Sequence, residues 1–94
     1  MSDEARLLDL LREQHTFPGA YTFRAITTPD AVDDVMAALR TAGGADLRVD
    51  GVERNPSRAG TYVALRIRCH AERAEDVLRV HAALQAHESV NISL

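Results

Sequence analysis

The stretch from Pro56 to Cys69 constrains the fold more than any other part of this sequence. From Tyr62 onward it alternates strictly. Val63, Leu65, Ile67 and Cys69 fall on one side, and Tyr62, Ala64, Arg66, Arg68 and His70 on the other. A period of two belongs to a strand with one face against a core. A Gly-containing loop, Asn55–Gly60, runs directly into it. The pattern therefore predicts a central strand whose apolar face is buried and whose guanidinium groups point the other way.

The remaining segments arrange themselves around that strand. Residues 3–15 read as a helix, with Ser2 as its cap and Asp3 and Glu4 in the first turn, where the helix dipole favours negative charge. Leu7, Leu8, Leu10 and Leu11 give it an apolar side that must be buried, because so short a helix is marginal alone. Pro18 disfavours a helical Phe17 and ends the helix before it. A first strand spans Tyr21–Thr27, with Tyr21, Phe23 and Ala25 inward. Thr28-Pro29-Asp30 reads as a helix start with a capping hydroxyl. Val32, Val35, Met36 and Leu39 then recur at helical spacing until Gly43-Gly44 stops them. A second strand, about Leu47–Arg54, alternates Leu47, Val49 and Gly51 with Arg48, Asp50 and Val52. Its charges and internal Gly suit an edge. Glu72 to about His87 forms another helix, with Ala74, Val77, Val80, His81 and Leu84 on one side. A last strand, Ser89–Leu94, sets Val90, Ile92 and Leu94 together.

After the leading helix the order is β-α-β-β-α-β. Right-handed crossovers turn that order into an α+β, ferredoxin-like two-layer sandwich. It has a four-stranded antiparallel sheet, two helices on one face, and strands one and three in the middle. The domain reading is residues 1–15 as a helical extension and 16–94 as the ferredoxin-like unit. At 94 residues the chain suits one core and leaves no room for a second domain with a deep cleft.

Phe17-Pro18 followed by Tyr21-Thr22-Phe23-Arg24 resembles the opening of the YbeD-like proteins, small bacterial proteins of unassigned function. Pro56-Ser57, Gly60 and Tyr62 resemble their loop into strand three, and Val77, Leu84 and Val90 match their end. The resemblance covers about Thr16–Leu94. It implies a ferredoxin-like fold similar to the ACT-type domains that bind small effectors, and it transfers no catalytic residue. Thr27 stands where a Gly is usual, Ala59 replaces a usual Lys beside Arg58, and His81 stands where an aromatic is common.

Several activities lack the residues they need. The net charge of −3 argues against nucleic-acid binding. Gly60-Thr61-Tyr62-Val63-Ala64-Leu65 faintly echoes an RNA-binding pattern, but only Tyr62 offers a ring for base stacking. An acylphosphatase would need a Gly-rich, Arg-bearing turn after strand one, and the turn is Thr27-Thr28-Pro29-Asp30. A metallochaperone would need a Cys pair, and Cys69 is the only cysteine; it falls on the core face and reads as a small buried hydrophobe. The histidines lack spacing for a catalytic pair, and His81 reads as a core aromatic. The acidic N-terminus, MSDEARLL, is unlike a signal peptide, and no apolar run approaches a membrane span. The expected compartment is the cytoplasm, with no cofactor, metal, nucleic-acid or membrane partner.

The candidate contact surface is the sheet face away from the helices. Alternation places Arg24, Arg48, Arg66 and Arg68 there, with His70 and Asp50 nearby. The leading helix, if it crossed that face, would pair Asp3, Asp9 and Glu13 with them. Arg58, in the loop Ser57–Gly60, is a further candidate for an anion. The expectation is a non-enzymatic regulatory or adaptor protein acting by protein–protein contact at that face or a strand edge, with homodimerisation through sheet edges or faces. The alternative is ACT-like sensing of a small-molecule effector between subunits, near Thr27, Thr28 and Asp30.

Overall fold

In the computed structural model, which describes residues 3–93, the two strongest strand patterns lie side by side. Strand β1 (Gly19–Thr27) pairs antiparallel with β3 (Val63–Ala71) along its whole length, from Gly19 opposite Ala71 to Thr27 opposite Val63. Strand β2 (Leu47–Pro56) flanks β3, and β4 (Val90–Ser93) flanks β1, giving the order β2-β3-β1-β4. The expected ferredoxin-like sheet is present, with strands one and three central. The Ser2 cap and Leu94 lie outside the described residues, as do the side chains of Ile92 and Ser93.

Burial on β3 follows the alternation residue by residue. Val63, Leu65, Ile67, Cys69 and Ala71 are buried, while Arg66 and Arg68 are exposed. Helix α2 (Val32–Gly43) follows a short 3₁₀ turn at Pro29–Ala31 and buries Val32, Val35, Met36 and Leu39, the i, i+3, i+4, i+7 stripe. Gly44, at φ +64°, ends it and returns its N–H to the Arg40 carbonyl. Helix α3 (Ala74–Ala86) buries Ala74, Val77, Val80 and Leu84. The two helices pack on each other and, with Phe23, Leu65 and Ile67 from the sheet, close one core. Burying each large side chain contributes roughly 1.5–3 kcal/mol.

Four local expectations need correction. The first concerns Thr28, whose hydroxyl makes no cap; its carbonyl accepts the Ala31 N–H at 3.1 Å. The second concerns β2, which bulges at Asp50: Val49 stands opposite Cys69, but Gly51 stands opposite Arg68 and Val52 opposite Ile67. An extra residue reverses the alternation beyond it. Gly51 therefore leaves the side of Leu47 and Val49, Val52 takes the core side, and Glu53 joins the open face opposite Arg66.

The third concerns β4, where the ladder slips at Asn91. Val90 stands opposite Thr27 and Ile92 opposite Ile26, so the expected unbroken alternation is interrupted between Val90 and Ile92.

The fourth concerns helix α1 (Asp3–Gln14), which buries no residue. It lies against α3, with Leu11 against the core margin, while Leu7 and Leu10 stay 49% and 44% exposed. The expected burial of its leucine side is thus only partial. Its position beside α3 also keeps Asp3, Asp9 and Glu13 off the open face. Arg12 of the same helix pairs instead with Glu75, at 3.2 Å, and with Asp9, at 4.0 Å.

Candidate functional site: the open face of the sheet

Antiparallel pairing puts directly opposite residues on the same face, so the ladder orders the open side into rows. Glu53, Arg66 and Arg24 form one row across β2, β3 and β1. Gly51, Arg68 and Thr22 form the next, and Arg48, His70 and Ala20 the last before the strand ends. On the other side of the Glu53 row stand Asn55, Ala64 and Ile26. The four sheet arginines of the sequence reading therefore share one surface, with three of them on adjacent rungs of the two central strands.

Those three differ from the fourth. Arg48 donates from Nε to Asp50 Oδ1 at 2.7 Å. That hydrogen bond holds the Asp50 carboxyl below its usual range, with the nearby His70 and Arg68 adding to the effect. Among the described residues, Arg24, Arg66 and Arg68 make no ion pair and no side-chain hydrogen bond. Arg68 lies over Gly51, where a Cβ would collide with its guanidinium. The internal Gly of β2 is thus what lets this side chain lie flat, a reason beyond the edge position read from the sequence.

A shallow hollow of about 360 Å³ opens beside the Arg24–Arg66 rung, with Ile26 and Ala64 as its floor and Asn55 at its rim. It exists because Ala64, the middle side chain of its row, is small. Ile26, Ala64 and Asn55 were not among the contact residues expected from the sequence. Ile26 and Ala64 were legible from the alternation, but Asn55 reaches the face only through the bulge at Asp50.

The other candidates are placed elsewhere. Thr27 is fully buried and donates its hydroxyl to the Ser89 carbonyl at 2.7 Å, so it is not open to an effector. Thr28 is half-buried and Asp30 exposed, at the same end of the sheet. Arg58 is exposed in the β2–β3 loop. There the Gly60 N–H donates to the Ser57 carbonyl, 3.0 Å, and the Tyr62 N–H to Ser57 Oγ, 3.1 Å. Gly60 supplies a φ of +75° that a side chain would oppose. Two backbone donors that an anion would need are therefore occupied.

Beneath the sheet, His81 joins Tyr21, Phe23, His15 and Phe17 in a cluster of rings. Its Nε2 lies 2.9 Å from the Tyr21 hydroxyl, a partner the sequence did not announce. Burial pushes the Cys69 thiol up to about 11, which keeps it protonated and unreactive. No group of His, Cys, Asp and Glu side chains among the described residues could hold a metal ion, and no described helix is long and apolar enough to cross a membrane.

Comparison with known proteins gives a family and a fold. A family model described as "Protein of unknown function (DUF493)" matches residues 12–94. The YbeD-like resemblance read from the sequence agrees with that match. No curated protein matches. The solution structure of the C-terminal domain of the MgtC protein from Mycobacterium tuberculosis is similar, with a TM-score of 0.70 and 18% identity over 85% of this chain and 87% of that one. A homoserine dehydrogenase from Thiobacillus denitrificans is similar over 81% of this chain but only 16% of its own, with a TM-score of 0.61 and 17% identity. At these identities the likeness is one of fold, the ferredoxin-like, ACT-like arrangement.

Proposed function

The chain belongs to the DUF493 family, and from that premise we propose that it is a non-catalytic regulatory or adaptor module that docks an acidic segment of a protein partner on the open face of its sheet. One observation carries this reading. Arg24, Arg66 and Arg68 stand together on the two central strands with no ion pair of their own, in a chain whose net charge is −3. Arginine forks suit carboxylates, and charge complementarity of this kind sets partner choice and encounter rate.

Photo-crosslinking from an amino acid placed at Thr22, between the arginines, tests the reading. A crosslinker at Leu10 on α1 serves as the control. The expected result is an acidic protein segment captured from Thr22, lost in the Arg66→Glu/Arg68→Glu variant and weakened by salt. Equal capture by the charge-reversed variant would overturn the docking role.

A second reading is ACT-like effector sensing. The similarity to a short part of a homoserine dehydrogenase chain favours it, since a unit of this size is there one part of a larger metabolic enzyme. The effector would contact Thr28 and Asp30 between two subunits. A ligand that stabilises the chain and also changes its oligomeric state would support this reading over docking.

A further inference from the structure

Arg24 and Arg66 are directly opposite one another on neighbouring strands. Like charges in that position oppose folding. Glu53 flanks Arg66 from β2 but forms no ion pair with it, and Arg68 adds a third guanidinium on the next rung. The sheet therefore holds an unfavourable charge arrangement at its centre, on the rim of a hollow. Arg24, Arg66, Asn55 and the apolar Ile26 and Ala64 all line that hollow.

We propose that this hollow is a seat for a phosphate monoester, with the phosphate held between Arg24 and Arg66 and the carbon body of the ester resting on Ile26 and Ala64. The charge count selects phosphate over carboxylate. A phosphate monoester carries close to two negative charges at neutral pH and presents three strong acceptor oxygens, enough to serve two guanidinium forks and the Asn55 carboxamide. A carboxylate neutralises one fork only. The apolar floor selects an organic ester over the bare ion, because inorganic phosphate gains nothing from Ile26 and Ala64. The hollow is small and open, which fits a single phosphorylated side chain or a small phosphorylated metabolite. The inference rests on the reading that the open face is the working surface, and it names what that surface takes.

The experiment is a nuclear magnetic resonance titration of the full 10.3 kDa chain with phenyl phosphate, inorganic phosphate and benzoate at low ionic strength. Phenyl phosphate is expected to move the Arg24 and Arg66 Nε–H signals, the Asn55 side-chain amide and the Ile26 methyls together and saturably. Affinity should fall in the order phenyl phosphate, inorganic phosphate, benzoate. Arg24→Gln and Arg66→Gln should each weaken phenyl phosphate by about tenfold or more. The same variants, without ligand, should melt at a higher temperature than the parent, by a margin that shrinks as salt is added. Both positions are exposed, so the variants keep the core intact; Arg66→Lys, which keeps the charge without the fork, should bind at an intermediate level.

A phosphotyrosine peptide tighter than phenyl phosphate would assign the ester to a protein partner, and a weaker one to a free metabolite. Signals unmoved at these residues, unchanged affinity in both Gln variants, or benzoate equal to phenyl phosphate would each overturn the seat. Its failure is distinct from failure of docking. Crosslinked partner lost on charge reversal, with no phosphate response, removes only the seat. A phosphate response with partner capture unaffected by charge reversal removes only the docking role.

Discussion

The Tyr21 hydroxyl and His81 Nε2 lie 2.9 Å apart at the inner margin of the sheet, and burial acts on both partners in the same sense. It raises the Tyr21 phenol and lowers the His81 imidazole, so both groups are held neutral. With Tyr21 as the O–H donor, Nε2 accepts and the imidazole proton sits on Nδ1. The sequence position read as a core aromatic is therefore an aromatic that also satisfies a half-buried phenol.

This pair predicts an acid-sensitive step in stability. His81 has a folded value below its ordinary 6.5, so the unfolded chain binds the proton first as pH falls. Stability from this group is complete above that ordinary value and is lost as pH drops from there through the folded value. Denaturant melts across this range should show the loss, and His81→Phe should flatten it. Tyr21 and His15 face the ring cluster, while Glu4, Glu75 and Arg79 line the same groove. Glu4→Gln and Glu75→Gln should leave the slope in place.

Thr27→Val tests the buried hydroxyl at the end of β1. The change preserves shape but leaves the Ser89 carbonyl without its donor. Leaving a buried group unsatisfied costs about 1–3 kcal/mol. Ser89 is only half-buried, which favours the lower end. An unchanged denaturation midpoint would show that water replaces the hydroxyl without loss.

Asp76 is fully buried at the start of α3, where its carboxylate accepts the Arg73 backbone N–H at 3.2 Å and also engages the Arg73 and Arg79 side chains. Arg79 in turn donates from Nε to the Ala42 carbonyl in the last turn of α2, at 3.2 Å. Asp76→Ala should cost about 1–3 kcal/mol. It stays below the cost of a fully buried pair because both arginines are about half exposed and regain water. Hydrogen exchange should show the loss at the first turn of α3 before the rest of the helix.

The leucines of α1 and α3 should rank by burial. Leu84→Ala empties a fully buried site and should cost about 2–5 kcal/mol. Leu7→Ala and Leu10→Ala, at nearly half-exposed positions, should each cost under about 1 kcal/mol. Equal losses at Leu7 and Leu84 would mean that α1 is covered in solution by a second chain.

The face of each central-strand residue was legible because period two is uninterrupted from Val63 to Ala71, and because each buried residue there is apolar. The helical stripe of α2 was legible for the same reason at its own period. What escaped was every feature set by a single extra residue or by a distant partner. The bulges at Asp50 and Asn91 change which residues share a face without leaving a mark in hydrophobicity. Asn55 and Glu53 reach the open face only through the first of them. The Tyr21–His81 contact and the Arg79 hydrogen bond to the Ala42 carbonyl join residues from different elements, and local patterning carries no trace of such pairing.

Gly51→Ala joins the bulge to the arginine face in one substitution. A methyl at this position points into the Arg68 guanidinium, the free end of a long side chain that can move aside. The backbone needs no special freedom there, and Ala limits the unfolded chain slightly more than Gly does. Stability should therefore hold within about 0.5 kcal/mol. The position of Arg68 should not hold. Its Nε–H signal should shift, and capture of an acidic segment from Thr22 should weaken although no charge has been removed. Capture at the parent level with a displaced Arg68 would confine the docking contribution to Arg24 and Arg66.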